Sequence, residues 1–552
     1  MNKWIVTQRR LMMAVKNPAI CCGASSKEKA LMGVATLLHR SRLIPGASYR
    51  AFWLFSIIIG VVLAAFATPN VSFSDSSGWE TVGDGIQYKE FVLPDPNRVF
   101  VARMEISNPN AIIESSIGQG ILMEGKETVS GMAARYDQAI NPWGGDWGPR
   151  NHIVVAINGS FHDPKTGEPW GGVVQSGWYA KRYGDLVGSS GFVWTADRTA
   201  FIGGCVTHRS EKQVMSNLTT GKTINFDKIN IRPKSNRITI YTPQFGSMSD
   251  INMSNVEVLV EVTRPAGIYP LPARVTGVVK DIWVNRGAFP IPFDHIAIAA
   301  GAGVIQPLLQ TVNVGDVIAI SSEVTDLGHD CKNASDIGWT KAYSSVAGSY
   351  NFLRNGELVD VDDEGALLRH PRTAVCLNDN FVYFVVVDGR NDSYSIGMTI
   401  EELGSFCMNH LDATSGINHD GGGSSAMWVN GEIVNRPSDG SERAVANGLM
   451  MVNVETIEKS TAFRVGDKVH AIRPANIFLG PGTNYTAITS VPQDTPGSIH
   501  PYTKMLNGVL AKSRNWWYVD FGWITGWVDE SALEKDEFED GEIYRDGLLL
   551  GN

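Results

Sequence analysis

INHDGGGSSAMWVNGEIVNRPSDGSERAVANGLMMV (417–452) decides how this chain is read. Apolar stretches of strand length lie at both ends, and Asn430-Gly431 in the middle is a hairpin-turn dipeptide. Between the first stretch and the hairpin stand Asp420, Gly421, Gly422, Gly423, Ser424 and Ser425. Three consecutive glycines cost backbone entropy. Strands close on both sides argue against a linker, and favour a turn whose amides approach a ligand, as in an anion-binding nest. Asp420 is then a candidate acid or nucleophile, and Ser424 adds a hydroxyl. Arg443, just before the last strand, can return to the same pole.

Working outward, similar short apolar runs recur: IVVAING (153–159), VEVLVEV (256–262), HIAIAAG (295–301), DVIAISSEV (316–324) and FVYFVVVDGR (381–390). Their length and β-branched content mark strands. Helical signals are fewer. Thr399 and Glu402 form a capping box before IEELGSFCMNHL (400–411), and a second helix is expected within 127–136. Strands outnumber helices and do not alternate with them, so the fold class is α+β, with a β-rich, mixed-sheet catalytic domain.

Two more strand ends carry polar residues. In VVAINGSFHD (154–163), Asn158 and Ser160 suit sugar hydroxyls, although an ordinary turn would use the same residues. HPRT (370–373) precedes one strand, and Asp388-Gly389-Arg390 ends its expected antiparallel neighbour. Arg372 and Arg390 then share a pole and form a fork for a phosphodiester; an Arg–Asp structural ion pair is the competing reading.

The ordered set AINGSF, HPRTAV, VVVDGR, SIGMTIEEL, HDGGGSSAM and SERAVANG resembles the phosphodiester glycosidase family, over about residues 100–457. The resemblance implies hydrolysis of a sugar-1-phosphodiester in a domain spanning 85–457. One departure is His419, where the family motif carries an apolar residue. Strands punctuated by GPGTNY (480–485) and GWITGWV (522–528) suit a small barrel. Residues 462–533 resemble a bacterial SH3-like domain, which implies a cell-wall or other surface polymer as partner. An acidic tail, 534–552, follows.

The N-terminus has a different character. Residues 1–50 carry nine Lys or Arg against one acid, Glu28; the remaining 502 sum to −18 of the net −10. Such an acidic body disfavours nucleic acid as a partner. The uncharged run Ala51–Ala67 follows a basic flank and is expected to be a signal anchor or signal peptide, with 1–50 cytoplasmic and the body exported. Cys205, Cys331, Cys376 and Cys407 then lie where disulfides persist, and four cysteines allow three pairings.

These residues imply a scheme. Arg372, Arg390 and Arg443 hold the phosphodiester with the Gly421, Gly422 and Gly423 amides; Asp420 and Asp388 are the catalytic carboxylates; Asn158 and Ser160 read the sugar. No cofactor is required, although Asp388, Asp392, Asn418 and Asp420 are oxygen donors of the kind Ca²⁺ takes. The rivals are a non-catalytic surface polymer binder and a phosphodiesterase cleaving at phosphorus.

Overall fold

A computed structural model describes residues 78–122, 124–183, 190–231, 236–249, 256–263, 275–322, 324–333 and 338–536. The expected membrane or signal segment, 51–67, and most of the acidic tail lie outside them. No helix among the described residues is long and apolar enough to cross a membrane.

The strand Phe381–Val387 is an uninterrupted apolar run because both of its faces are buried. Alternate side chains point opposite ways. Val382, Phe384 and Val386 enter the largest core, while Tyr383, Val385 and Val387 enter a second one. The neighbouring strand Asn97–Glu105 divides likewise, Phe100, Ala102 and Met104 against Val99 and Val101. The sheet is antiparallel around them; Asn97–Glu105, Phe381–Val387, Arg372–Leu377 and Ser415–Asn418 lie side by side at its centre.

One face of this sheet carries the helix Ile400–Leu411 through Leu403, Phe406, Cys407 and Leu411. The expected capping box starts it: the Thr399 hydroxyl accepts from Glu402 N, and the Glu402 carboxylate accepts from Thr399 N. The other face meets a second antiparallel sheet, ordered Glu432–Ile433, Met427–Val429, Arg150–Asn158, Asn447–Glu455, Ala111–Ile117. The hairpin at Asn430-Gly431 joins Met427–Val429 to Glu432–Ile433. The short helix Val129–Tyr136, capped by Thr128, packs against this sheet.

A further sheet within 213–322 has its own core, and contains a parallel pair, Lys228–Ile229 with Ile238–Tyr241. The architecture is therefore β-rich with mixed sheets, as expected. Cys205 and Cys331 form a disulfide beside the paired strands Val206–Thr207 and Thr325–Asp326, while Cys376 and Cys407 are buried free thiols.

From Lys468 to Lys535 the strands pair in one antiparallel sheet around a core of their own. This segment is also fastened to the body. Lys504 Nζ lies 2.6 Å from Asp294 and 2.9 Å from Glu261, all three side chains nearly buried. Tyr502 donates to Asp294, and Lys512 donates to the Ala134 and Asp137 carbonyls. Leu506, Val509, Trp516 and Trp527 share a core with Ile140 and Phe293 of the body.

Candidate active site

The strands Arg150–Asn158 and Ser415–Asn418 belong to the two sheets that sandwich the main core, and both open toward one pole. There the main chain of Asp420 is held from both sides. Its N–H donates to Gly159 O at 2.9 Å, and its carbonyl accepts from Asn158 Nδ2 at 2.7 Å. Asn158 Oδ1 in turn accepts from the Thr373 hydroxyl and from Ala426 N. Asn158 is fully buried. The residue expected to read a sugar therefore positions the acid.

Gly421–Gly423 turn sharply after Asp420. Gly422 has φ +64°, where an L side chain would be strained. Gly423 leaves no room for a Cβ, which would collide with the Arg443 guanidinium and the Asp439 carboxylate. Of the three amides expected to bind anions, Gly422 N donates to Pro371 O, and Gly421 N serves the Asp420 carboxylate. Gly423 lies within the short turn Gly422–Ser424.

Two guanidiniums flank this turn. Arg390 packs beside Gly422 and donates to Ser438 Oγ at 3.3 Å. Arg443 pairs with Asp439 at 2.6 Å and donates to Ser424 Oγ at 3.3 Å. The Asp420 carboxyl bonds to Ser424 and feels the charge of Arg443. Burial outweighs both and pushes its pKa up to about 6. A carboxyl so placed carries a proton for part of the time near neutral pH.

Ser160 is buried beside the turn, its N–H donating to Asn447 Oδ1 and its hydroxyl accepting from Asn447 Nδ2, each at 2.8 Å. His162 follows, its pKa lowered by burial and by the charges of Lys126 and Arg443, so it is neutral at pH 7. His162 and Asp439 are the site residues that sequence reasoning passed over. His162 stood in the quoted strand-end motif, and Asp439 lies four residues before Arg443.

Arg372 and Asp388 have jobs other than the expected ones. The Arg372 guanidinium is buried and donates to the carbonyls of Met398, Gly365 and Leu368. It ties a loop to the strand and has no fork left for a phosphate. Asp388 accepts from Asn435 Nδ2 and Arg436 N, at 2.8 and 2.9 Å, with one oxygen each. Burial raises its pKa. It anchors the start of the loop that carries Asp439 and Arg443. His419 is a buried neutral ring, its pKa lowered by burial to about 4; it occupies an apolar position as a neutral group. Of the oxygens suggested for Ca²⁺, those of Asp388 are thus already engaged, and no cluster of three His, Cys, Asp or Glu suited to a metal occurs among the described residues.

No curated protein matches this chain. Solved structures similar to it include a hypothetical protein from Synechocystis, with TM-score 0.45 and 14% identity over 69% of this chain and 64% of that one. The chain thus spans less than two thirds of that protein. An exported protein from Burkholderia pseudomallei gives TM-score 0.41 and 20% identity over 64% and 74%. The catalytic domain of zebrafish N-acetylglucosamine-1-phosphodiester α-N-acetylglucosaminidase, auto-inhibited by its pro-peptide, gives 0.30 and 13% over 69% and 84%. By sequence model, residues 284–452 match the phosphodiester glycosidase family, and within them lie Asp420, the glycine turn, Arg390, Asp439 and Arg443.

Proposed function

We propose that this chain is a hydrolase that cleaves a sugar-1-phosphodiester at the bond between the anomeric carbon and the phosphate oxygen. The observation that carries the reading is the half-buried Asp420 carboxyl, its pKa pushed up to about 6, at the base of a glycine turn between Arg390 and Arg443. The family match over 284–452 supports the same reaction class.

In this reading the two guanidiniums and Gly423 N hold the non-bridging phosphate oxygens. Asp420 gives its proton to the bridging oxygen as the carbon–oxygen bond breaks, so the phosphate leaves as a monoester. Water adds its oxygen to the anomeric carbon, and its proton returns to Asp420 or to bulk solvent. Asp439, held by Arg443, is the second carboxylate at the turn. In the same reading Ser160 meets a sugar hydroxyl.

Residues 51–67 and 462–533 extend the proposal. The first would place the enzyme at or beyond a membrane, and the second, as an SH3-like module, would meet a surface polymer. Protease accessibility in intact cells tests the first; soluble cytoplasmic protein would overturn it.

The function itself is tested by incubating the protein with a small panel of sugar-1-phosphate diesters and identifying products by mass spectrometry. Free sugar plus phosphomonoester supports the reading. A panel left intact, or a sugar-1-phosphate product, contradicts it.

A further inference from the structure

The loop over 160–172 runs beside Asp420 and is tied there at both ends. At one end Gly159 O accepts the Asp420 N–H at 2.9 Å, and Phe161 lies two residues on. At the other, Gly172 O accepts from Ala347 N at 3.0 Å, and the Ala347 carbonyl lies 3.2 Å from His419 Nδ1, the residue before Asp420. Gly171 has no room for a Cβ, which would lie 2.2 Å from Ala347 Cβ. Between these ends the charge of Arg443 is felt at His162, the neighbour of Phe161. The loop is also closed on itself. Trp170 N donates to Phe161 O and Asp163 N to Glu168 O, each at 2.9 Å. The Asp163 carboxylate accepts from Lys165 N and Thr166 N, and Glu168 pairs with Lys181 at 2.5 Å.

This frame displays two rings. Phe161 and Trp170 stack with centroids 6.2 Å apart and planes inclined by 14°. Trp170 is 55% exposed. A single exposed apolar side chain is ordinary. A large ring held parallel to a second one, on a loop fastened at both ends beside the candidate acid, forms a fixed surface that is ready before a ligand arrives. Pro164, Lys165 and Thr166 are the other exposed positions within the loop, so the apolar surface is one flat face and no groove. An alkyl chain needs apolar walls on several sides. A flat face with polar surroundings suits the C–H face of a pyranose, whose hydroxyls stay toward water and polar groups.

We propose that Trp170, backed by Phe161, is the platform on which the sugar of the diester stacks. The platform rests on the proposed reading of the Asp420 site. There the phosphate lies between Arg390 and Arg443, and Trp170 takes the ring beyond the bridging oxygen. It selects a sugar over a plain alkyl group and takes no part in the proton transfer.

The test uses the full chain, the panel of sugar-1-phosphate diesters, and the methyl α-glycosides of glucose, galactose, mannose and N-acetylglucosamine. Kinetics on the diesters and saturation-transfer NMR on the glycosides are measured for the parent, Trp170→Ala and Trp170→Tyr. At least one glycoside should receive transfer on its ring C–H protons in the parent. Trp170→Ala should abolish that transfer and raise KM by roughly fivefold or more with kcat little changed, because the stack is made equally before and during bond breaking. Trp170→Tyr should restore most of both. Thermal melting checks that the variants fold, and transfer in the parent depends on neither of them. The platform is overturned by absence of transfer to all four glycosides, by unchanged KM and transfer in folded Trp170→Ala, or by no recovery in folded Trp170→Tyr. Glycosides held through Trp170 with every diester left intact would keep the platform and overturn the reaction. Cleavage with a KM indifferent to Trp170 would keep the reaction and overturn the platform.

Discussion

Burial raises the pKa of the half-buried Asp420 and of the buried Asp388, but their hydrogen-bond partners differ, and the proposal gives them different roles. Replacing Asp420 by Asn removes the transferable proton and should lower turnover by at least roughly 10²-fold. The stability effect has the opposite sign. A folded pKa raised to about 6 favours the protonated native state. That stability is fully present below the unfolded pKa near 4 and is lost as pH rises through about 6. Asp420→Asn should therefore flatten the decline between pH 4 and 6, and at pH 7 should be more stable than the parent by about 2–3 kcal/mol. Melting curves across pH check this; a steeper decline in the variant would refute the assignment. As the general acid, Asp420 also requires the parent's kcat/KM to fall as pH rises through about 6. Asp388→Asn behaves differently. One acceptor becomes a donor facing Asn435 or Arg436, so stability should fall by about 1–3 kcal/mol, together with activity. Loss of activity at unchanged melting temperature would return Asp388 to the chemistry.

At the scale of elements, the glycine turn is the piece that positions two sheets' strand ends into one site. Gly423→Ala places a methyl against Arg443 and Asp439. It should lower turnover by roughly tenfold or more while costing the fold only about 1–2 kcal/mol, since the collision lies at the rim and its partners can shift. Full activity in this variant would show that the Arg443–Asp439 pair is not part of the site. Much of this element was legible beforehand. The three glycines between strands have few structural uses, the Thr399 capping box is local, and Asn430-Gly431 announces its own hairpin. The role of Arg372 was not legible. Its partners are carbonyls of Gly365, Leu368 and Met398, brought together only by the tertiary path of the loop. Asn158 is similar: its side chain holds a turn 262 residues away.

For the whole molecule, the change of composition near Ala462 does not announce how firmly the last strands are fastened. Lys504 compensates Asp294 and Glu261 inside the protein. Burial works against both carboxylates, and their partners still hold both pKa values down, Glu261 at about 2. Lys504→Met leaves Asp294 with His295 and Glu261 with Lys280 but removes the cation the two acids share, and should destabilise the fold by roughly 1–3 kcal/mol at neutral pH. Depressed carboxylates give stability above pH 4 that is lost as pH falls toward 2, so the variant should also lose part of the parent's acid-limb slope. Denaturant unfolding at pH 7 and pH 3 measures both effects; an unchanged midpoint would mean that the C-terminal strands are only loosely docked.

The central claim, proton donation by Asp420 to break a carbon–oxygen bond, is tested most directly by turnover in ¹⁸O-labelled water. A sugar-1-phosphodiester cleaved by the parent protein should carry the label on the anomeric hydroxyl of the released sugar, with none in the phosphomonoester. Asp420→Asn should give the same products at least roughly 10²-fold more slowly. Label in the phosphate, or an undiminished rate in the variant, would contradict the account.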